Sequence, residues 1–249
     1  MKHILYFIIL ISVSVNAQDL VIKEVKRRPN KKIYNTTSVT IIYPIIILKN
    51  KTAADLINRQ IRKEFFDQPN IHVTLDNLLT ERIEEGLTDL DYTITFKNKN
   101  ILSLQLNGEG CGAYCSSWNI YLNFDLNTGK QIRIEDLIQL DKFDSFKEIV
   151  FQQKTDTLQK YLAEEKEMFD RNEMGDLDSS DYDWIKGEVT NCMSNAAINV
   201  FSLKKTELEI IDPCDLPHAI QSQTPIYELK YSYLFLKPFL KKEFLEKLK

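Results

Sequence analysis

Tyr92-Thr93-Ile94-Thr95-Phe96, Leu102-Ser103-Leu104-Gln105-Leu106 and Trp118-Asn119-Ile120-Tyr121-Leu122-Asn123-Phe124-Asp125-Leu126 decide the fold. In each stretch apolar and polar residues alternate, the pattern of a strand with one buried face. Asn98-Lys99-Asn100 is a short turn between the first two. Asn127-Thr128-Gly129 turns the chain again toward Ile132 and Ile134. Strands joined by such short turns pair antiparallel. A sheet with one apolar face needs helices to cover it. The fold class expected is therefore α+β: mainly antiparallel sheet covered by helices and stabilised by disulfides.

The covering helices are legible on either side of these strands. Ala53, Leu56, Ile57, Ile61 and Phe65 recur at helical spacing. Thr52 and Asp55 read as a capping box for that helix, and Pro69 as its end. Leu75, Leu78, Leu79 and Ile83 predict a second helix from Thr74, with Gly86 as its C-terminal cap. Before them, Leu20–Val25 and Ser38–Leu48 read as strands, and Pro44 places the second at an edge or a bulge. Beyond the meander, Phe143–Phe169 is a long helical stretch, and Trp184–Ala197 another. Asn199–Leu203 and Glu207–Ile211 flank Lys204-Lys205 as a hairpin. Tyr227–Phe235 reads as a last aromatic strand, and Phe239–Leu248 as a closing helix. Residues 18–140 then make an N-terminal α+β half, and 141–249 a C-terminal half that shares its fold, together one continuous domain or two.

Residues 1–17 read as a secretory signal peptide: Lys2 and His3, an apolar run from Ile4 to Val15, and Val15 and Ala17 ahead of the cleavage point. The run is shorter than the roughly 20 residues of a membrane span. No Cys follows it to carry a lipid. The expected setting is the periplasm or the exterior, without a lipid anchor or a membrane span after cleavage.

Composition removes several functions. The formal net charge is −4, so the clustered Lys and Arg that bind nucleic acid are not to be expected. Seven glycines leave little room for phosphate-cradling loops, and Thr128-Gly129-Lys130 lacks the upstream glycine of a P-loop. No Gly-x-Ser-x-Gly elbow occurs. His72 and His218 stand outside any metalloprotease motif. No cofactor and no metal is expected.

Cys111, Cys115, Cys192 and Cys214 are an even set in an exported chain, which reads as two disulfides. Three pairings are open. Sequence proximity favours Cys111 with Cys115 and Cys192 with Cys214. The spacing does not match the paired C-x-x-C of a zinc site or the redox C-x-x-C.

Gly108-Glu109-Gly110-Cys111-Gly112-Ala113-Tyr114-Cys115 surrounds one acid and one aromatic with glycines. A stiffened loop of this kind presents Glu109, Tyr114 and, just beyond it, Trp118 to a partner. The second candidate is acidic: Glu164–Asp183 holds nine acids against Lys166 and Arg171. Asp176, Asp178 and Asp181 there would steer a basic protein. A calcium loop is not read there, because Asp181 stands where the turn glycine belongs.

The order of these pieces resembles a known family. Tyr43-Pro44, a helix with Leu56-Ile57-Asn58, and Tyr121-Leu-Asn-Phe-Asp-Leu-Asn-Thr-Gly-Lys130 leading to Ile134-Glu-Asp-Leu137 carry the likeness. Tyr227–Leu240 carries it more loosely in the C-terminal half, so that it spans roughly residues 36 to 240. The chain resembles the exported bacterial module of unknown function found in a lysozyme-binding anti-sigma factor and beside some peptidoglycan deacetylase domains. The resemblance implies an α+β fold, a cell-envelope setting, and binding to a lysozyme-like protein or to peptidoglycan rather than catalysis. Neither a transmembrane signalling segment nor a deacetylase domain is read in these residues, so neither activity is expected from them. The leading expectation is a non-catalytic binding module. A carboxylate-dependent envelope hydrolase using Glu109, and a purely structural envelope protein, are the alternatives.

Overall fold

The computed structural model describes residues 20–28, 40–67, 72–173 and 178–249. The signal-peptide stretch, Pro69 and Asp176 lie outside them. The first sheet has the order β1(Val21–Arg27), β2(Ile41–Ile47), β3(Leu87–Lys97), β4(Ile101–Cys111), β5(Cys115–Asp125). β3, β4 and β5 form the expected antiparallel meander. β2 pairs antiparallel with β1, yet joins β3 in parallel and only at Ile41 opposite Leu90. A parallel step needs a crossover, and α1(Lys51–Phe66) and α2(Leu75–Glu84) provide it.

Pro44 therefore lies neither on an edge strand nor, since the register on β1 runs unbroken through it, at a bulge, against the sequence expectation, but the physical reason behind that expectation holds. Ile46 sends both its N–H and its C=O, at 2.8 Å, to the side-chain amide of Asn58. Pro44, two residues earlier, faces the same way, away from β1. Its missing N–H falls where β2 has already parted from β3. Nor is α1 capped by Thr52. Asn50 is the N-cap and accepts from the Ala53 N–H, a contact worth about 1 kcal/mol.

One face of the meander is built by Leu102, Leu104, Leu106, Leu122 and Phe124, packed with Ile57, Ile61 and Phe65 of α1 and Leu79 of α2. Gly129 turns the chain below it at φ +73°, and a Cβ there would lie 2.4 Å from the Ala53 carbonyl. On the opposite face, the end of the meander near Ile101 is covered by a second sheet, β6(Phe201–Leu203), β7(Glu207–Ile210), β8(Leu229–Ser232). Two buried polar side chains stitch the sheets together. Ser103 Oγ accepts from Leu203 N at 3.2 Å, and Asn123 Nδ2 donates to Phe201 O at 2.8 Å.

A second core joins Ile101, Ile132, Ile134 and Leu137 to Phe146 and Val150 of α4(Phe143–Asp170), with Leu208, Tyr231 and Leu236. α5(Ser179–Cys192) lies against α4 around Leu158, Ile185 and Val189. Short helices α3(Ile134–Leu137), α6(Tyr233–Leu236) and α7(Lys242–Lys247) complete the order. α6 corrects the expected Tyr227–Phe235 strand. Ser232 ends β8 and its hydroxyl accepts from Phe235 N, which starts a helical turn instead. Tyr227, Tyr231, Tyr233 and Phe235 thus do not form one strand face.

Both expected cysteine pairs are present. Cα atoms are 4.0 Å apart for Cys111–Cys115 and 5.7 Å for Cys192–Cys214. No helix among the described residues is long and apolar enough to cross a membrane.

Candidate functional site

The β4–β5 hairpin carries the site. Its last pair is Cys111 opposite Cys115, so the disulfide closes a loop of only three residues. Gly112 N donates to Tyr114 O at 3.0 Å inside that loop. Tyr114 is consequently held out from the molecule, 70% exposed. Its ring meets His218, at the start of the 3-10 turn His218–Gln223, with centroids 4.4 Å apart.

Behind the loop lies a cleft of about 480 Å³. β5 supplies Ser116, Trp118 and Ile120; the hairpin supplies Gly110, Cys111, Gly112 and Tyr114. Phe65 closes it from α1, and Arg82, Glu85, Gly86 and Leu87 form the far wall. Trp118 can lie flat here because its neighbour on β4 is Gly108. A Cβ on Gly108 would come within 2.1 Å of the indole. The other side of the indole meets Phe65 at 5.7 Å between centroids. Arg82 and Glu85 form an ion pair at 3.2 Å on the rim. An aromatic floor with a charged rim suits either a protruding side chain or a sugar ring.

The opposite face of the same strands is polar toward the hairpin end, up to the Cys111–Cys115 disulfide. Asp89 and Asp91 of β3, Asn107 and Glu109 of β4, and Ser117 and Asn119 of β5 stand side by side there. Hydrogen bonds order them. Asn107 donates to Asp91 at 2.6 Å, Gln105 to Asn119 at 3.1 Å, and Thr88 to the Glu109 carboxylate at 3.1 Å. The Asp89 carboxyl is held above the ordinary carboxylate range, first by burial. The Leu90 N–H opposes that shift, and the charges of Asp91 and Glu109 add to it. Glu109 lies with the sulfurs of Cys111 and Cys115 inside a 4.8 Å cluster. Sulfurs bonded to each other offer no thiolate, so the oxidised loop is not a metal cage.

The structure thus unites Glu109, Tyr114 and Trp118 on one hairpin, with the indole and the carboxylate on opposite faces. It does not bring Asp178 or Asp181 to the cleft. Asp178 is the N-cap of α5 and accepts from Ser180 N at 2.7 Å and Asp181 N at 3.1 Å. Asp181 returns the contact by accepting from Asp178 N, completing a capping box. The Ser180 hydroxyl and these N–H groups hold the Asp178 carboxyl below its ordinary range. Phe65, Arg82, Glu85, Asp89 and His218 had no signal in the sequence that linked them to the hairpin. Only the register of β3 on β4 could have suggested Asp89, as the residue opposite Glu109.

No family model and no curated protein sequence matches the chain. Its fold is similar to that of a DUF3298-family protein from Bacteroides fragilis, 14% identical, with a TM-score of 0.59 over 94% of this chain and 98% of that one. A DUF3298-family protein from Pseudomonas aeruginosa is 12% identical, with a TM-score of 0.52 over 93% and 95%. At such identities the likeness concerns fold, and it agrees with a module of unknown function.

Proposed function

We propose that this chain is a non-catalytic, exported binding module whose recognition surface is the stapled β4–β5 hairpin. The observation that carries the reading is Tyr114, 70% exposed on a disulfide-closed loop beside the Trp118 cleft. Large aromatic groups held rigid and solvent-facing are the usual anchors of binding surfaces. The partner proposed is a basic, lysozyme-like protein. Asp89, Asp91 and Glu109 supply the complementary charge, and the sequence resemblance to a lysozyme-binding module points the same way. Complementary charge of this kind speeds encounter and fixes register.

The test is retention of hen lysozyme and of insoluble peptidoglycan by the purified, oxidised chain at low and moderate salt. Lysozyme retained, less so with salt, and lost in Tyr114→Ala is the expected result. Retention of peptidoglycan alone would move the ligand to a cell-wall glycan stacked on Trp118. Retention of neither would overturn the reading.

A second reading, a carboxylate hydrolase, draws on Asp89 opposite Glu109, one carboxyl pushed up and the other on a neighbouring strand. It requires release of reducing ends from peptidoglycan that Asp89→Asn abolishes.

A further inference from the structure

The two edges of the first sheet are unlike. β1 carries Lys23, Glu24, Lys26 and Arg27, the charged side chains that deter a foreign strand. β5 from Cys115 to Tyr121 reads Cys-Ser-Ser-Trp-Asn-Ile-Tyr, with no charge and no proline. Its register on β4 runs without a bulge. This edge has none of the ordinary protections.

Neighbouring bonds show which backbone groups face outward. Cys111 N donates to Gly86 O at 2.8 Å, away from β5, so Cys111–Cys115 is a non-hydrogen-bonded pair. By alternation, Ser117, Asn119 and Tyr121 turn their N–H and C=O groups away from β4. Further along, the same edge is in use: Asn123 O accepts from Ile132 N, and Asp125 N donates to Lys130 O, both from the turn that follows. Ser117, Asn119 and Tyr121 have no backbone partner among the described residues.

We propose that the β5 edge at Ser117–Tyr121 accepts an extended peptide segment of a partner protein as a sixth strand, with basic and apolar residues alternating along it. Added strands gain affinity from main-chain bonds and specificity from alternate side chains. One set of its side chains falls beside Trp118 and Ile120, at the apolar cleft. The other set falls beside Ser117 and Asn119, facing Glu109 and then Asp89 and Asp91. No Lys or Arg stands on that face between Asp89 and Thr93, Gln105 and Glu109, or Ser117 and Tyr121. The second set is therefore basic. The same acids disfavour a second copy of this chain, because two-fold pairing of β5 edges would set both acidic groups on one face. The inference rests on the reading of the hairpin as a recognition surface and supplies the partner's chemistry.

The test uses a fluorescein-labelled decapeptide of alternating Lys and Val, titrated into the oxidised protein by anisotropy. In antiparallel addition the residues opposite Ser117, Asn119 and Tyr121 share their face, so they are the lysines. N-methylation of the Lys amides should weaken binding at least tenfold, and N-methylation of the Val amides should leave it within twofold. Glu109→Gln should weaken it severalfold, and the amides of Asn119 and Tyr121 should become protected from hydrogen exchange. The reverse N-methyl pattern would mean parallel addition to the same edge. Equal binding of all three peptides, or none by any, overturns the edge site. A dimer in sedimentation that Asn119→Pro dissolves overturns the peptide in favour of a second copy. Lysozyme retained without peptide binding defeats only the edge. Peptide binding without lysozyme or peptidoglycan retention overturns the proposed function and leaves the edge site standing.

Discussion

Gly108 decides the shape of the cleft more than any residue that lines it. The indole of Trp118 lies across its Cα, and nothing with a Cβ fits beneath. In Gly108→Ala the ring must leave its place between this residue and Phe65, since the strand beneath it is held by β3 and β5 on both sides. Overpacking of this kind costs about 1–3 kcal/mol. The expected outcome is a lower urea midpoint together with a red-shifted tryptophan emission, as the indole gains water. Unchanged emission would show that the backbone moves instead of the ring. Tyr114→Ala, in contrast, should leave the midpoint nearly unchanged, because an exposed side chain has little burial to lose.

Among the elements, α4 depends on the buried charge of Lys154. Lys154 reaches from its middle to Asp212 at 2.9 Å and to Asn195 O at 3.2 Å. Its side chain is 3% exposed and that of Asp212 is 10% exposed. Asp212 also accepts from Ala197 N at 3.0 Å, so the pair ties the helix to both chain segments around β6 and β7. Lys154→Ala leaves Asp212 buried and without its cation, a loss of about 3–5 kcal/mol. Unfolding monitored by circular dichroism would measure it, and a loss under 1 kcal/mol would mean that water replaces the ammonium. The elements also mark how far local pattern reaches. The meander was legible because alternation over nine residues has one interpretation. The α6 turn was not, since aromatic residues favour strands in general and only the Ser232 cap redirects these. Asp178 and Asp181 read as a free acidic surface because a capping box is visible only once the helix start is known.

At the scale of the whole molecule, the C-terminal helix α7 is anchored on the N-terminal sheet. Lys247 Nζ donates to Asp125, and Lys247 O accepts from Asn98 and Asn100 at 2.8 and 3.1 Å. Asp125 also accepts from Asn127 N and Thr128 N, fixing the Asn127-Thr128-Gly129 turn. Burial pushes the Asp125 carboxyl up, but Lys247 and Thr128 outweigh it, and the net shift is downward. A carboxyl lowered in the folded state contributes stability that is present above its unfolded value of about 3.9. That contribution is lost as pH falls through the folded value. Asp125→Asn should therefore lower the melting temperature at pH 7 by several degrees and by less at a pH below that unfolded value. An equal loss at both pH values would remove the ionised carboxylate from the account.

The sequence by itself determined the strands of the meander, the two covering helices, the class of fold, and a loop of glycines and cysteines around Glu109 and Tyr114. These follow from period, turn chemistry and spacing, which are properties of neighbours along the chain. The tertiary structure alone decided that β2 joins β3 in parallel, that Phe65 and Arg82 wall the cleft behind Trp118, and that Asp89 faces Glu109. It alone left the β5 edge open while the Ile132 segment covers the rest. Each of these depends on which backbone edge or side-chain face another segment occupies. No window of sequence carries that information, because the competing partners are separated along the chain and only packing chooses among them.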